Sequence, residues 1–417
     1  MLIRALLAGS CLFVGLMLPR WARASETSMD AFVREVLARN PSLRAEDLRR
    51  EASQREARAE GLWPDPIATV MLDQVPNHMG ATQMPMVRYQ LQQMVPWPGK
   101  LGFMRSAAES RAEGATASEE VRRLNLTVEA KRAWLMLLLN RRQREINRIS
   151  FGLLTSIARS AAVRYGAGTG GHHELARAEV ERNATEVERV SLEGERVSIV
   201  AMLNILRDAP VDTPIQDPEA TETTLPALTI NGLFDAALHG RPEIKGMEAM
   251  VRETRSMADL ARRERYPDLM VGAWYNQMIG DPDTGGAMLG VTLPVFGITR
   301  QNRRAEAFDL RSTSGRQDID AMLAMIRFEV ADSLRRVQTA TRTVEFLRGA
   351  AAPRARESFE VSLAAYSTGT ADMTALLEAR RALQAVEQAL AQALVERETA
   401  IAELERALGR PLTEVRP

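Results

Sequence analysis

The chain has 417 residues, of which 5% are aromatic and 26% charged, with 54 Lys and Arg set against 54 Asp and Glu. Zero formal charge removes the electrostatic case for nucleic acid as a partner, and a single cysteine, Cys11, removes any disulfide framework. Abundant Ala, Leu, Arg and Glu with few aromatics suits long helices with narrow apolar seams.

Residues 1–24 read as a secretory signal. Arg4 supplies the positive start, Ala5–Leu18 the apolar stretch, and Ala22-Arg23-Ala24 a small-x-small cleavage site before Ser25. A transmembrane anchor is the alternative, but the apolar run is short for a bilayer. Cys11 lies inside this segment, so the mature chain is expected to carry no thiol. Lipidation at Cys11 would need a longer apolar run ahead of it. Further along, no stretch reaches 18 uninterrupted apolar residues, and no transmembrane helix is expected.

The first half, residues 25–208, begins with a helix near 29–62 that Asn40-Pro41 breaks or bends, because proline disfavours a helical predecessor. Pro64 and Pro66 close it. Two strand-like segments follow, Ile67–Val75 and Met86–Val95, joined by a loop with Pro76, Asn77 and Gly80. In the second, Val87, Tyr89 and Leu91 alternate with Arg88, Gln90 and Gln92, giving one apolar and one polar face. A proline-free stretch then runs from Gly99 to Tyr165 with a seam at Leu124, Val128, Leu135, Leu139 and Ile146. As one helix it would be roughly 100 Å long. Glycines 166–171 turn the chain into a shorter helix ending near Asp208.

Residues 209–227 hold four prolines and read as a linker. Beyond it the scheme is written a second time, over 228–410, before a tail at 411–417. Arg39-Asn40-Pro41 returns as Gly240-Arg241-Pro242, Trp63-Pro64-Asp65 as Tyr266-Pro267-Asp268, and Val95-Pro96-Trp97-Pro98-Gly99 as Leu293-Pro294-Val295-Phe296-Gly297. Tyr165-Gly166-Ala167-Gly168-Thr169 returns as Tyr366-Ser367-Thr368-Gly369-Thr370, all at offsets between 198 and 203. The second half therefore reads as a helix over 228–264, strands Leu269–Met278 and Ala287–Val295, a long helix over 299–365, the turn at Gly369, and a helix over 372–408. Pro353 predicts a bend that the first long helix lacks.

In each half the two shorter helices together match the long one, so stacking them end to end gives four rods per chain, antiparallel in pairs. Compact bundles with unseen kinks are the alternative. Four strands of about ten residues suit a tilted outer-membrane crossing. They cannot close a barrel alone, and open edges in lipid are costly, so membrane strands require several copies. Two soluble hairpins capping the helices remain the rival.

Over its mature length the chain resembles the TolC family of outer-membrane efflux proteins. The carrying residues are Asn40-Pro41, Pro64-Asp65-Pro66, Pro96-Trp97-Pro98-Gly99-Lys100, Pro294-Val295-Phe296-Gly297, and the paired turns at Gly168-Thr169 and Gly369-Thr370. The resemblance implies a mainly α fold with a small β part: a homotrimer with a twelve-stranded β-barrel in outer-membrane lipid and a long α-helical barrel of twelve rods across the periplasm. It also implies a periplasmic adaptor and an inner-membrane pump as partners. Trp97-Pro98-Gly99-Lys100 looks more like the branch serving heavy-metal pumps of the resistance-nodulation-division type. A type I secretion duct for polypeptides and a periplasmic adaptor are the competing readings; the latter would need lipoyl-like β-domains around a single hairpin.

Family channels taper at the periplasmic end, where two aspartates are familiar six and nine residues after the glycine matching Gly369. Here those places hold Ala375 and Glu378. Asp372 is an additional acid, and Glu174 stands at the equivalent of Ala375. Asp372, Glu378 and Glu174 are thus the pore and gate candidates, each also readable as a solvated acid near a helix start. His172-His173 is a weak metal candidate, since adjacent helical histidines diverge. Met71, Met79, Met84, Met86, Met94 and Met104 with His78 form a Met-rich region compatible with copper or with plain apolar filling. No catalytic constellation is visible, so neither an enzyme nor a cofactor is expected.

Overall fold

The computed structural model describes residues 28–73, 86–219, 222–225, 229–278, 282–294 and 297–414. The signal-like segment with Cys11, the loop with His78, Met79, Gly80 and Met84, and Val295-Phe296 lie outside them.

The first half forms α1 (Met29–Arg39), α2 (Pro41–Ala59), β1 (Ile67–Asp73), β2 (Met86–Val95), α3 (Lys100–Gly166) and α4 (His172–Leu206). The second forms α5 (Ile230–Gly240), α6 (Pro242–Arg263), β3 (Asp268–Met278), β4 (Thr284–Thr292), α7 (Gly297–Phe346), a π-helical turn (Leu347–Ala351), α8 (Ala352–Ser367) and α9 (Met373–Leu408).

Proline places the helix breaks. Pro41 starts α2 and holds Asn40 in extended backbone; the freed Asn40 side chain accepts from Ser42 N at 3.0 Å and donates to the Leu206 carbonyl at 2.8 Å. That bond ties the α1–α2 junction to the end of α4, so the short helices share one rod. Arg241, before Pro242, does the same work in the second half by donating to the Ala407 carbonyl at 3.3 Å and to Glu329 at 2.7 Å.

Helix α3 packs against α1, α2 and α4 on one side and against α6 and α9 on the other, while α7 packs on α6 and α9. The rods therefore run in the order α1/α2/α4, α3, α5/α6/α9, α7/α8, which is the four-rod arrangement. Each half has its own apolar core. Phe32, Val36, Leu126, Trp134, Leu137 and Leu203 are buried together in the first, and Leu233, Ala237, Ile326, Leu334, Val337 and Leu404 in the second.

The seam on α3 differs from the sequence expectation. Val128 and Leu135 are buried, but Leu124, Leu139 and Ile146 are only half-buried, and the deepest positions are Leu126, Ala130, Ala133 and Leu137. A rod with neighbours on both sides buries two stripes, and a single seven-residue seam follows neither fully. Two asparagines seven residues apart lie in that interface. Asn140 Nδ2 donates to the Leu192 carbonyl at 2.9 Å and Asn147 Nδ2 to the Thr185 carbonyl at 3.0 Å, pinning α3 to α4 in one register.

The four strands form one antiparallel sheet in the order β1-β2-β3-β4. Ten residue pairs join β2 to β3, from Met86–Met278 to Val95–Leu269, so the hairpins of the two halves are one surface. Strand β4 starts earlier than expected because Gly285 and Gly286 are sheet residues. A Cβ on Gly286 would meet the Trp274 ring at 2.7 Å, so glycine there marks close packing rather than a loop.

The linker packs as a strap. Asn204 donates to the Val211 and Thr213 carbonyls, Ile215 is buried in the first core, and Asp217 pairs with Arg144 and Arg196. No described helix is long and apolar enough to cross a membrane.

Candidate functional site

At the end of the rods far from the sheet, the two helix turns are copies of each other. Gly168 and Gly369 both take left-handed backbone, φ 75° and 77°. Thr169 N donates to the Arg164 carbonyl and Thr370 N to the Ala365 carbonyl, each at 2.9 Å. Only glycine enters that conformation without strain, which is why the Gly-Thr pairs were visible in sequence.

The gate candidates separate here. Asp372 is the N-cap of α9, its Oδ1 accepting from Ala375 N at 2.8 Å, and it is exposed. Glu378 is exposed on the next turn; the Arg381 guanidinium is raised chiefly by its hydrogen bond to Glu181, with Glu378 adding a lesser charge effect. Glu174 instead faces the opposite hairpin, where it accepts from the Tyr366 hydroxyl at 3.3 Å. Burial, followed by the Glu174 charge, pushes that phenol above its usual range, and the Arg164 guanidinium lies 4.8 Å from the Tyr366 ring centre. His172 and His173 are exposed, and His172 sets its ring edge-on to Tyr165 at 5.4 Å. Among the described residues no group of three His, Cys, Asp or Glu is placed to hold a metal.

A stronger constellation lies two turns further in, which the sequence reading missed. Glu181 of α4 accepts from both Arg380, at 2.8 Å, and Arg381 of α9. Arg380 is buried and also bonds Ser150 of α3 and Gln384, while Gln388 and Gln384 reach Glu188. The hydrogen bond from Arg381 is the largest influence holding the Glu181 carboxyl below its ordinary value. Burial draws the Arg380 guanidinium downward against the pull of Glu181. The available signal was an acid thirteen residues past one turn glycine facing paired arginines eleven and twelve past the other.

At the opposite end the sheet sorts its residues by face. Val70, Tyr89, Leu91, Val271, Leu289 and Val291 share one face in register and are all exposed. The other carries Arg88, Gln90, Gln92, Trp274 and Asn276. The junction with the helices is pinned by the Trp97-Pro98-Gly99-Lys100 motif. Trp97 stacks on Tyr266 at 5.4 Å, and Lys100 Nζ bonds Asp268 at 2.7 Å and the Tyr266 carbonyl at 2.9 Å. Its role in this chain is to clamp one half to the other.

Residues 233–410 match the family described as outer membrane efflux protein. No curated protein matches the chain. Among solved structures it is similar to the outer membrane protein VceC of Vibrio cholerae, with 18% identity over 94% of this chain and 98% of that one at a TM-score of 0.78. It is similar to the Campylobacter jejuni CmeC outer membrane channel, with 16% identity, 91% and 85% coverage and a TM-score of 0.77. CusC gives 15% identity, 92% coverage of both chains and a TM-score of 0.81. At such identities the shared property is the fold, a helical barrel carrying a β-barrel. The resemblance to TolC-family channels read from the sequence agrees with the family match over residues 233–410 and with this shared fold.

Proposed function

We propose that three copies of this chain close into an exit duct that passively conducts substrate across the periplasm and outer membrane. The observation that carries it is that sheet and rods are open on the same two flanks. Strands β1 and β4 each have an unpaired edge. On the flank of β1, further along the rod of α1, α2 and α4, α4 exposes Val180, Val187, Val190 and Val197 at heptad spacings; on the flank of β4, α7 exposes Leu310, Phe328 and Phe346, eighteen residues apart on one face. A flank that meets its opposite on the next copy gives a ring, satisfying strand edges in lipid and apolar stripes in water together. In detergent the mature protein is expected at three times the mass of one chain; a folded, detergent-free monomer would rule the duct out.

The turn end is the periplasmic mouth in this reading, with the Glu181–Arg380–Arg381 cluster and the Tyr366–Glu174 contact holding its hairpins together. Asp372 and Glu378 face the conduction path, where rings of acids favour cations. Replacing both by Ala is expected to lower cation preference and weaken cationic blockers in planar bilayers, the difference shrinking in high salt. Unchanged selectivity would place both acids off the path. The partners are an adaptor and an inner-membrane pump of the resistance-nodulation-division type, and the substrate class is heavy-metal cations, supported by the Trp97-Pro98-Gly99-Lys100 resemblance.

A further inference from the structure

Every methionine in the described strands stands on one face of the sheet. Strand register puts Met71, Met86 and Met278 at its loop end and Met94, Met270 and Met288 nearer the helices, all on the face that carries Arg88, Gln90 and Asn276. The opposite face carries mostly Val, Leu, Ala and Tyr, with Gln93 and Gln277 toward its ends, and has no methionine. Met86 pairs directly with Met278, and Met94 with Met270, which brings their Cβ atoms to about 5 Å. Met71 lies diagonal to Met86, and Met288 diagonal to Met270, a spacing that long side chains bridge. The six therefore form two thioether triads, one toward each end of the sheet.

Apolar filling does not account for this placement. Methionine fills gaps among apolar neighbours, yet here it is absent from the more apolar face and stands among amides and a guanidinium, with Trp274 and Ile67 as the other large apolar side chains. The Met288 sulfur accepts from Gln90 Nε2 at 3.8 Å, and Met71 and Met94 are exposed while Met86 is buried. Thioethers are soft, neutral ligands that select Cu(I)-like cations over harder ions. They carry no proton to displace and add no charge. Such sites bind a soft ion firmly enough to admit it and loosely enough to release it, as conduction requires.

We propose that the inner face of the sheet is a two-station thioether path for soft monovalent metal cations, Cu(I) or Ag(I). This deepens the duct reading and rests on it for the face being lumenal. The test uses the full trimer in detergent with methionine labelled at the 13C ε-methyl, titrated with Ag(I), which needs no reductant. Two groups of methyl resonances are expected to shift, one vanishing in M71L/M86L/M278L and the other in M94L/M270L/M288L. Each triple variant should bind one Ag(I) fewer per protomer and leave the other group unmoved, and Zn(II) should shift neither. If a triple variant fails to assemble, Met94→Leu and Met86→Leu alone should each weaken their own station at least tenfold. Unchanged Ag(I) uptake in the variants, or equal shifts with Zn(II), overturns the proposal. The same preparations are read for KCl conductance in planar bilayers. Conducting channels without an Ag(I) response overturn the metal path and leave the duct; Ag(I) binding without conductance overturns the duct and the path with it, leaving two soft-metal binding sites.

Discussion

The first half carries its long rod as one unbroken helix, whereas the second interrupts the matching rod with a π turn at Leu347–Ala351. Counting along both rods explains the difference. Leu126, Ala130, Trp134 and Leu137 occupy the core places of Ile326, Val330, Leu334 and Val337, an offset of 200. Beyond the turn, Tyr165 and Tyr366 correspond at 201. Between core and turn the second rod has one residue more, and a π turn, which closes i to i+5, is how a helix absorbs one without losing its face. Pro353 follows at once, where Gly152 stands in the first rod. Arg348 in the turn reaches Glu222 of the strap, so the insertion also anchors the linker.

The comparison breaks hardest if proline is moved across it. Gly152→Pro, placed in a helix with no wide turn to receive it, is expected to cost about 3 kcal/mol or more. Pro353→Ala should change stability by less than about 1 kcal/mol, because the turn already accommodates the ring. Denaturant unfolding of the two variants in detergent measures both, and equal losses would mean that the π turn is not what relieves Pro353.

The ion cluster at the mouth comes next, and it joins the halves through buried charge where mid-rod they meet through Leu135, Leu138 and Val395. Glu181→Gln leaves Arg380 buried without its carboxylate, at a cost of about 3 kcal/mol, the low end for such a break since Arg381 faces solvent. Hydrogen exchange is expected to rise in the turn ends of α4 and α9 and not near Trp134. The pH dependence has a fixed sign. A carboxyl held below its ordinary 4.5 in the folded state adds stability at higher pH, lost as pH falls through the folded value. Protection at the mouth should therefore fall in acid below about pH 4.5 in the parent and stay flat in the Gln variant. A parent whose mouth is insensitive to acid would detach Glu181 from the closure.

Smaller again is the register pin, which only the first half has. Asn140 corresponds to Ala340, so Asn140→Ala makes the two rods alike at that position and is expected to cost about 1–3 kcal/mol, measurable by denaturant midpoint. No change would mean that Asn147 and apolar packing suffice to set the α3–α4 register.

Features that recur at a fixed offset were legible in the sequence: the proline breaks, the paired glycine turns, the strand pairs, the four rods. Each is dictated by backbone chemistry within a few residues. What escaped depends on pairing across the halves. Glu181 and Arg380 are 199 residues apart, and nothing local marks either as more than a helix-surface charge. The two-stripe packing of α3 and the segregation of methionine to one face needed the rod order and the β2–β3 register. Lys100 was read as part of a family motif, but its clamp on Asp268 became visible only once β3 lay beside β2.

The smallest expected effect concerns the caps that end the two return helices. Asp208 takes left-handed backbone at φ 56° where Gly409 in the second half takes 72°. Ala209 N donates to the Asn204 carbonyl and Arg410 N to the Glu405 carbonyl, so both helices close with the same bond. Gly409 has a reason to be glycine, because a Cβ there would sit 2.4 Å from the Gly240 carbonyl oxygen. Asp208 has only the conformational strain of an L-residue at positive φ, about 1 kcal/mol and eased for Asp by its short polar side chain. Asp208→Gly removes that strain but frees the unfolded chain by a comparable amount. The net gain should stay below about 0.5 kcal/mol, a barely resolved rise in denaturant midpoint. A loss of 1 kcal/mol or more would show instead that the Asp208 side chain holds the strap, and that the two caps, alike in backbone, have divided the work.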